Sequence, residues 1–599
     1  MDDALKPALE GRRGWGLTAS SVSHVLYPSC TADVVQALEL ARERGWKVAA
    51  WGNGRSYGDA MLNEGQLLLD MGRMNRIVDF DPEAGTITVE PGVTIEQVWQ
   101  RVIADGWWPA VVSGTMFTTI GGCLAANVHG KNNAKHGPLG EHVQSFTVVL
   151  ADGSVREVTQ ESDPNLFCAA IGGMGWLGVF TKITLSLKRV HSGRVTVRPE
   201  VCADLDDMFR SFERYEREDW DYVVGWIDAF GRGRGQGRGQ VHAARYLGRG
   251  VDPEGQRMLS VQDQLGSTSV LGFPKKHLWR VMQLFANRVG MRTVNHARYF
   301  WASQERNQQV HRDSHAQFNF LLDNVPNFKR IYGRTGLIQV QLFVPRESAR
   351  GVMRKALDLQ QALGLESWLV VMKRHRADAF WLSHGLDGYS FAMDFAVTDQ
   401  NREATYRMAK RMEQMVVEAG GRFYFAKDSV VSPESVRQSL GDEVLGRFLA
   451  LKRSVDPGCL FQGNLFRRVI GPLQGSVSEL PFAEGEVFAI EVPERDVTDV
   501  ALLEDAAAEG GPVEAVQAVK AVEAVEAVEA VEAVEAVEAV EAVEAVEAVE
   551  AVEAVEAVDN PDAEDDLNAV DDPDALDDLN AVDDPDAVDD PDALDDREA

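Results

Sequence analysis

Apolar and polar positions alternate in short runs through the first 190 residues and switch twice to helical spacing. The apolar residues between 34 and 41 recur at helical spacing after Thr31, a predicted helix N-cap, and Gly45 ends this segment. Thr94 and Gln97 form a capping-box pattern, which predicts a second helix. The predicted strands are residues 46–51, 67–70, 76–80, 86–90, 146–150, 155–158 and 179–187, with a hairpin turn at 152–153. This mixture predicts an α+β domain.

Three glycine-rich segments interrupt these strands: GNGRSYGD (52–59), GGCLAANVHG (121–130) and IGGMGWLG (171–178). Each is expected to be a loop at the end of a strand, where backbone N–H groups can hold a phosphate. Small side chains also let a flat ligand lie directly on the backbone, and His129 could reach its reactive edge. Three such loops favour a long cofactor with a diphosphate and a ring system. The alternative is a set of tight turns with a structural histidine.

The first glycine-rich segment is not a Rossmann fingerprint. Gly52 and Gly54 match the pattern, but Tyr57 stands where the third glycine belongs. A helix should also follow the loop, whereas a strand is predicted at 67–70. The segment therefore binds a pyrophosphate by a different architecture, or binds nothing.

Residues from about 195 to 420 have a different pattern, with longer alternating strands at 337–344 and 389–397. Helical stretches at 349–363 and 402–419 follow them. We therefore predict an antiparallel sheet with helices on one side, closing over the first domain to form a substrate cleft. Gln339 and Gln341 lie on one strand face at period two. Such a pair suits sugar hydroxyls, although both could be ordinary sheet surface.

Residues 231–240, GRGRGQGRGQ, are locally basic and glycine-rich. A plain flexible loop is the main expectation. A flap that contacts a substrate phosphate is a second hypothesis, and an RNA-binding segment is less well supported because the repeat is short and lacks aromatic residues.

The formal charge of −33 is concentrated at the carboxyl end. Residues 513–599 carry 32 acidic side chains against Lys520 and Arg597, a net of −30, which leaves about −3 for the first 512 residues. The nearly neutral globular part argues against a nucleic-acid partner.

Residues 513–558 repeat Glu-Ala-Val with period three, so the valines spiral around a helix axis and form no fixed stripe. Residues 559–599 repeat DDPDA and DDLNAV units. A disordered or weakly helical acidic tail is predicted after a linker at 471–512. It would be either a solubilising or docking tail, or a repeat expansion without function.

Five scattered cysteines without a C-x-x-C pair indicate a reducing compartment, with no disulfide or zinc framework and no metal site expected. The amino terminus lacks a basic-then-apolar signal layout. No apolar run reaches the roughly 18 residues of a membrane span. A soluble, cytoplasmic protein without a transmembrane segment is expected.

Several of these motifs resemble a known family. GNGRSYGD, SGTMFTTIGGCLAANVHGKN (113–132) and IGGMGWLG resemble the FAD-binding domain of the vanillyl-alcohol-oxidase (PCMH-type) flavoproteins. GGRFYFAKDS (420–429), MDF (393–395) and VDPGCLFQGNLFRR (455–468) extend the resemblance, which is closest to decaprenylphosphoryl-β-D-ribose 2′-oxidase-like proteins and covers about residues 15–470.

The resemblance implies a two-part PCMH-type FAD-binding domain at 15–190, an antiparallel-sheet substrate (cap) domain at 195–420, and a segment at 421–470 that returns to the flavin. Lys427 would be the active-site lysine, which stabilises charge or accepts the hydroxyl proton, and His129 would assist it; on its residues alone, Lys427 could equally be a surface lysine. The implied FAD-binding residues are Asn53, Gly54, Arg55, Ser56, Tyr57, Gly58, Gly114, Thr115, Thr119, Ile120, Gly121, Gly122, Ala126, Asn127, His129, Gly130, Gly173, Gly178, Val179 and Tyr424. The implied substrate-binding residues are Lys131, Gln339, Gln341 and Lys373.

Two positions depart from the family pattern. Many relatives tether flavin through a histidine in the first glycine-rich segment, whereas this chain has Tyr57, so non-covalent FAD is expected. The position before MDF is a cysteine in the closest relatives and Ala392 here, which leaves the polyprenyl-sugar substrate open.

The expected function is an FAD-dependent oxidoreductase that oxidises a CH–OH group of a sugar-like, possibly lipid-linked substrate. The alternatives are an aldonolactone or alditol oxidase of the same fold, such as a D-arabinono-1,4-lactone oxidase-like enzyme, or a non-enzymatic scaffold with an acidic interaction tail. The resemblance also implies an NAD-dependent reductase as a partner that acts on the keto product, and a peripheral position at the inner membrane.

Overall fold

The computed structural model describes residues 6–270, 273–483, 485–490 and 492. The chain divides into two units, 1–542 and 543–599, and all the described residues belong to the first. The predicted acidic tail, 513–599, lies outside the described residues.

Strands and helices alternate along the described chain. The strands are β1 (Ala8–Arg13), β2 (Ser20–Leu26), β3 (Val48–Trp51), β4 (Leu67–Asp70), β5 (Ile77–Asp81), β6 (Thr86–Val89), β7 (Trp107–Pro109), β8 (Val143–Val149), β9 (Val155–Thr159), β10 (Val179–Arg189), β11 (Arg194–Cys202), β12 (Tyr222–Ile227), β13 (Gly239–Tyr246), β14 (Ser269–Val270), β15 (Phe273–Pro274), β16 (His311–Ser314), β17 (Leu337–Pro345), β18 (Leu369–His375), β19 (Gly388–Ala396) and β20 (Arg422–Phe423). The helices are α1 (Thr31–Arg44), α2 (Ile95–Val102), α3 (Ile120–Ala125), α4 (Asn133–His136), α5 (Pro164–Ala170), α6 (Leu205–Arg217), α7 (Val261–Gln264), α8 (Leu278–Leu284), α9 (Arg288–Ala302), α10 (His315–Asn319), α11 (Arg346–Leu363), α12 (Arg402–Glu418), α13 (Pro433–Leu440), α14 (Asp442–Val455) and α15 (Asn464–Val469). Every strand and helix predicted with bounds is present, and its ends differ from the prediction by at most three residues.

The first sheet has the order β1-β2-β4-β3, with β4 parallel to both of its neighbours. Helix α1 packs its buried face on this sheet. The prediction that Thr31 is its N-cap was wrong by one residue, because Cys30 holds the extended cap position and makes no side-chain cap bond. The Ser29 amide and hydroxyl instead donate to Asp33 in the first turn.

The second sheet is antiparallel, in the order β5-β6-β10-β8-β9, and β7 also pairs with β10. Helix α2 carries the predicted capping box: Gln97 N donates to Thr94 Oγ1 at 3.2 Å, and Thr94 N donates to Gln97 Oε1 at 2.9 Å. Trp99 on this helix and Trp108 on β7 are fully buried, with ring centroids 5.9 Å apart. Their packing fixes the helix against the sheet.

The third sheet has eight antiparallel strands in the order β16-β11-β13-β12-β18-β19-β17-β20. Helices α6, α11 and α12 pack on one of its faces, as predicted for this region. From the opposite face, Gln341 reaches His129 of the first domain at 3.3 Å. The segment that carries His129 therefore contacts the third sheet on that face.

Two expectations for glycine-rich segments were wrong. Residues 120–125 form helix α3 and not a loop, and residues 171–178 lie between helix α5 and the start of β10, so only Gly52–Asp59 follows a strand. Residues 231–240 are not a free loop either. Arg232 and Arg238 pair with the buried carboxylates of Glu366 and Asp228, and residues 239–240 begin β13.

The carboxyl-terminal segment returns to the first domain through a buried ion pair. Lys452 and Asp456 are at most 2% exposed, and their charged atoms lie 2.5 Å apart. Lys452 Nζ also donates to the carbonyl oxygens of Trp176 at 2.7 Å and Phe461 at 2.8 Å. Phe461 in turn forms a bridge with Val48 of β3. This pair therefore joins the third glycine-rich segment, the first sheet and α14.

Residues 471–483 and 485–490, within the predicted linker, pack on the body of the protein. The ring of Phe482 stacks on that of Trp381 at 5.9 Å, and Arg447 pairs with Glu486 at 2.6 Å. Residues 493–512 of the predicted linker lie outside the described residues.

We expect Asp456→Ala to lower the free energy of unfolding by about 3–5 kcal/mol, because the buried Lys452 charge would lose its partner. Chemical denaturation followed by circular dichroism measures this loss. The matched control is Asp442→Ala, which removes the exposed carboxylate that pairs with Arg437 and should change stability little. Equal effects of the two substitutions would contradict the structural role of the buried pair.

Candidate functional site

The first glycine-rich segment lies against the segment that carries Lys427. Tyr57 N donates to the carbonyl oxygen of Ala426 at 3.1 Å. A Cβ atom at Gly58 would lie 2.0 Å from the carbonyl oxygen of Asp428, which only glycine avoids. The loop and the lysine, about 370 positions apart, are therefore in direct backbone contact.

The second segment packs on the first through Thr119. Its hydroxyl caps helix α3 by accepting from Gly122 N at 3.3 Å. A Cβ atom at Gly52 would lie 2.4 Å from the same hydroxyl. The Asn53 side chain donates to the carbonyl oxygen of Phe117 at 2.9 Å. These contacts hold the turn after β3 against the start of α3.

The third segment closes on the other end of α3. Gly172 N donates to Leu124 O at 3.1 Å, and Met174 N donates to Ala125 O at 2.8 Å. Asn127 and Met174 hold left-handed backbone, with φ of 43° and 52°, which is uncommon for residues with a Cβ. Strained positions of this kind are often found around ligand sites.

The first and second glycine-rich segments expose residues to solvent where they meet, and a diphosphate and a flat ring would lie there. Gly122 is exposed although its neighbours Gly121 and Cys123 are buried, and Asn53 is exposed beside it in the first segment. The residues present therefore fit FAD, the cofactor that the resemblance implies.

The predicted FAD-binding residues do not all lie in one place in the structure. The residues at 53–58, 119–122 and 126–130 line the region where the three glycine-rich segments meet. Thr115 donates to Asp323 at 2.7 Å, so Gly114 and Thr115 lie beside a carboxylate that sequence reasoning missed. Burial raises the pKa of Asp323 to about 6. Gly178 is needed for packing, because a Cβ there would lie 2.5 Å from Val148.

Lys427 lies in a cluster of buried polar groups. Its Nζ is 3.8 Å from the centre of the Tyr57 ring. Burial lowers the pKa of Lys427, the charge of Asp394 opposes this, and the charge of Lys373 adds to it. Asp394 accepts a hydrogen bond from Gln339, and burial raises the pKa of its carboxyl group. The pKa values of the lysine and of the carboxyl group are therefore shifted towards each other.

His129 lies in a buried group of rings. Gln341 Nε2 donates to His129 Nε2 at 3.3 Å, so the imidazole proton sits on Nδ1, which is buried without a partner among the described residues. Burial lowers the pKa of His129, with the charge of Lys373 adding to the effect, so its ring is neutral. The Tyr424 ring lies 5.2 Å away. The unpartnered N–H is available to a ligand.

Two further histidines, which sequence reasoning missed, complete this group. His375 and His384 lie 4.8 and 4.9 Å from His129 between ring centroids, and His375 Nε2 is 2.7 Å from Ser390 Oγ. His375 lies two positions after Lys373 on β18, so period-two spacing from that lysine could have found it. No sequence signal placed His384 here.

The remaining predicted substrate residues, Lys131 and Lys373, are half-buried. Lys131 donates to the carbonyl oxygen of Phe318 and lies 4.5 Å from the centre of its ring. Burial lowers the pKa of Lys131 to about 7 and that of Lys373 to about 8. Lys373 faces Ser390 across the β18–β19 pair.

The described helices include none long and apolar enough to span a bilayer. Within the same part of the chain, no three His, Cys, Asp or Glu side chains are grouped so that they could hold a metal ion.

Comparison with known proteins agrees with this geometry. Residues 22–159 match the FAD binding domain family. The chain is 29% identical over 466 residues to decaprenylphosphoryl-beta-D-ribose oxidase of Mycolicibacterium smegmatis, which covers 76% of this chain and 96% of that protein. L-gulonolactone oxidase of Mus musculus is 30% identical over 174 residues, 29% of this chain and 39% of that protein. The enzyme of the same name from Bos taurus is 27% identical over 208 residues, 34% of this chain and 47% of that protein.

We expect Gly58→Ala to reduce FAD retention strongly, because its Cβ would displace the carbonyl of Asp428 and the loop with it. The flavin-to-protein absorbance ratio of the purified variant measures this. Gly351→Ala is the control, since a Cβ there meets nothing within 4 Å on helix α11. Wild-type flavin content in Gly58→Ala would show that this loop does not hold the cofactor.

Proposed function

Because the chain is an FAD-dependent oxidoreductase with a PCMH-type FAD-binding domain, we propose that it oxidises a secondary hydroxyl of a sugar-like substrate, with flavin as the hydride acceptor. The FAD would lie along residues 53–58, 119–122 and 126–130 without a covalent link, since Tyr57 occupies the position of the tethering histidine. The arrangement of Lys427 carries the proposal.

Lys427 is suited to accept the hydroxyl proton. A base must be largely neutral at working pH, and burial lowers the pKa of this lysine below its ordinary value. Its Nζ lies over the Tyr57 ring, in the loop assigned to the cofactor. The nearby Asp394 carboxylate stabilises the ammonium that forms when Lys427 takes the proton.

A row of polar groups faces the lysine and would orient the sugar. Gln339 and Gln341 share one face of β17, and each has an amide oxygen that is buried without a partner in the described chain. The His129 Nδ1 proton is also unpartnered there. Sugar hydroxyls both donate and accept, so they match these acceptors and this donor. A buried polar atom without a hydrogen-bond partner costs free energy, so a ligand that forms hydrogen bonds with these atoms is bound more tightly.

The substrate is a lipid-linked sugar in this proposal, in line with the oxidase of M. smegmatis that aligns over most of both chains. The second candidate is an aldonolactone oxidase, favoured by the shorter alignments with L-gulonolactone oxidases. Oxidation of a secondary hydroxyl yields a ketone, so an NAD-dependent reductase that consumes it is the proposed partner.

We expect anaerobic titration with a lipid-linked ribose phosphate to bleach the flavin absorbance of the holoprotein. L-gulonolactone and alditols, tested in parallel, should bleach it much more slowly. Lys427→Met should retain FAD and lower the rate of reduction about 100-fold or more, as expected for loss of a general base. The exposed Lys355→Met is the matched control. Bleaching by the lactones alone would favour the second candidate, and unchanged turnover in Lys427→Met would reject the lysine's role.

We expect the rate of flavin reduction to rise with pH and reach a plateau below the ordinary lysine pKa, because only neutral Lys427 accepts a proton. Asp394→Asn removes the charge that raises the pKa of Lys427, so the rise should move to lower pH. Lys373→Met removes a charge that lowers it, so the rise should move to higher pH. Stopped-flow measurements across the pH range test both, and shifts in the same direction would contradict the assignment.

A further inference from the structure

Helices α8 and α9 expose large apolar side chains on their outer surfaces. Leu284 is 77% exposed, Val289 75% and Phe300 66%. Their inner surfaces are packed: Trp279, Met282 and Ala286 lie against the cluster around Tyr57 and Tyr332. The two helices therefore have one side packed on the protein and one apolar side facing solvent.

Four exposed residues of α9 lie in one stripe along the helix. Val289, Arg292, His296 and Phe300 are separated by three, four and four residues and are all exposed, which places them on one helix face. On α8, Arg280 and Leu284 are exposed at a spacing of four. Each helix thus alternates basic and apolar groups on its solvent side.

This region is basic within a nearly neutral part of the chain. Residues 275–306 contain seven lysines and arginines and one glutamate, a net of +6, whereas the first 512 residues together carry about −3. Some of the positive charge has internal partners, since Arg288 pairs with Glu366. Arg280 and Arg292 are exposed, and Arg280 lies against the ring of Trp279 with 5.5 Å between its Cζ and the ring centre.

We propose that the outer face of α8 and α9 docks on the surface of a bilayer that contains anionic lipids. Apolar side chains flanked by lysine and arginine are the pattern of helices that lie in the plane of a membrane interface. Basic residues near such a surface add electrostatic attraction to the anionic lipids. A partner that offered acidic groups alone would satisfy the charges but would leave Leu284, Val289 and Phe300 in water.

The position of this face relative to the site supports the choice of a membrane. A cavity of about 430 Å³ lies at the junction of the two helices, lined by Gln283, Arg288, Tyr332 and Trp368 among others. The Tyr332 and Trp368 rings stack at 4.9 Å. Tyr332 also neighbours Asp394 and Tyr57, so it separates this cavity from the Lys427 cluster.

Docking would place this cavity beside the lipid surface, so that a lipid-anchored substrate, which rests on the proposed function, could approach the site without leaving the bilayer. The docking itself does not depend on the proposed function, because it is measured by lipid binding and not by turnover.

The test is cosedimentation of the full-length holoprotein with vesicles of equimolar phosphatidylglycerol and phosphatidylcholine, compared with vesicles of phosphatidylcholine alone. We expect binding to the anionic vesicles only, weakened by added salt. The triple variant Leu284→Ser, Val289→Ser, Phe300→Ser should lose most of this binding. A control triple variant, Leu9→Ser, Val155→Ser and Leu363→Ser, changes exposed apolar residues elsewhere and should bind as wild type.

A second pair of variants tests the charges. Arg280→Gln with Arg292→Gln should weaken partitioning about 30-fold, whereas the exposed helical pair Arg407→Gln with Arg411→Gln should have little effect. Circular dichroism and flavin content confirm that each variant is folded.

Three outcomes would overturn the proposal. The first is no sedimentation with anionic vesicles. The second is equal binding by the test and control variants. The third is displacement by soluble polyglutamate with no loss in the triple serine variant, which would indicate an acidic protein partner.

Discussion

The ion pairs of Arg468 hold together the parts of the molecule on which the site depends. Its guanidinium contacts Asp59, which ends the first glycine-rich segment, and Asp428, which follows Lys427, both at 2.7 Å. Burial disfavours the charge of Arg468, but the hydrogen bonds and charges of the two carboxylates raise its pKa above the ordinary value. One permanently charged side chain from the last described helix thus joins the loop assigned to FAD to the lysine assigned to proton transfer.

Burial also shifts the pKa values of the titratable groups around Lys427. Lys427 and Lys373 lose part of their charge, His129 is neutral, and Asp394 is held towards its protonated form. Because the groups are close, a change of charge at one alters the pKa of the next. This property belongs to the group and not to any one residue.

The strands and helices were predictable wherever apolar spacing and caps agreed. The capping box at Thr94 and the alternation in β17 and β19 are local signals, and each element formed within three residues of its prediction. Helix α3 was missed because its small residues carry no apolar period, and only the Thr119 cap marks its start. The glycine-rich loop at 231–240 was misjudged because the buried carboxylates that hold it, Asp228 and Glu366, were not identified as its partners.

The sequence by itself determined the α+β class, the glycine-rich segments, the lysine in FYFAKDS and the separation of an acidic tail, because composition and spacing along the chain carry these features. Only the tertiary structure decided which groups surround that lysine. Asp394 of β19 and Tyr57 of the first glycine-rich segment lie far from Lys427 along the chain, and only packing brings them next to it. The basic outer face of α8 and α9 was likewise decided by packing. From the sequence, apolar residues are expected in the core, and only the structure shows which of them are exposed.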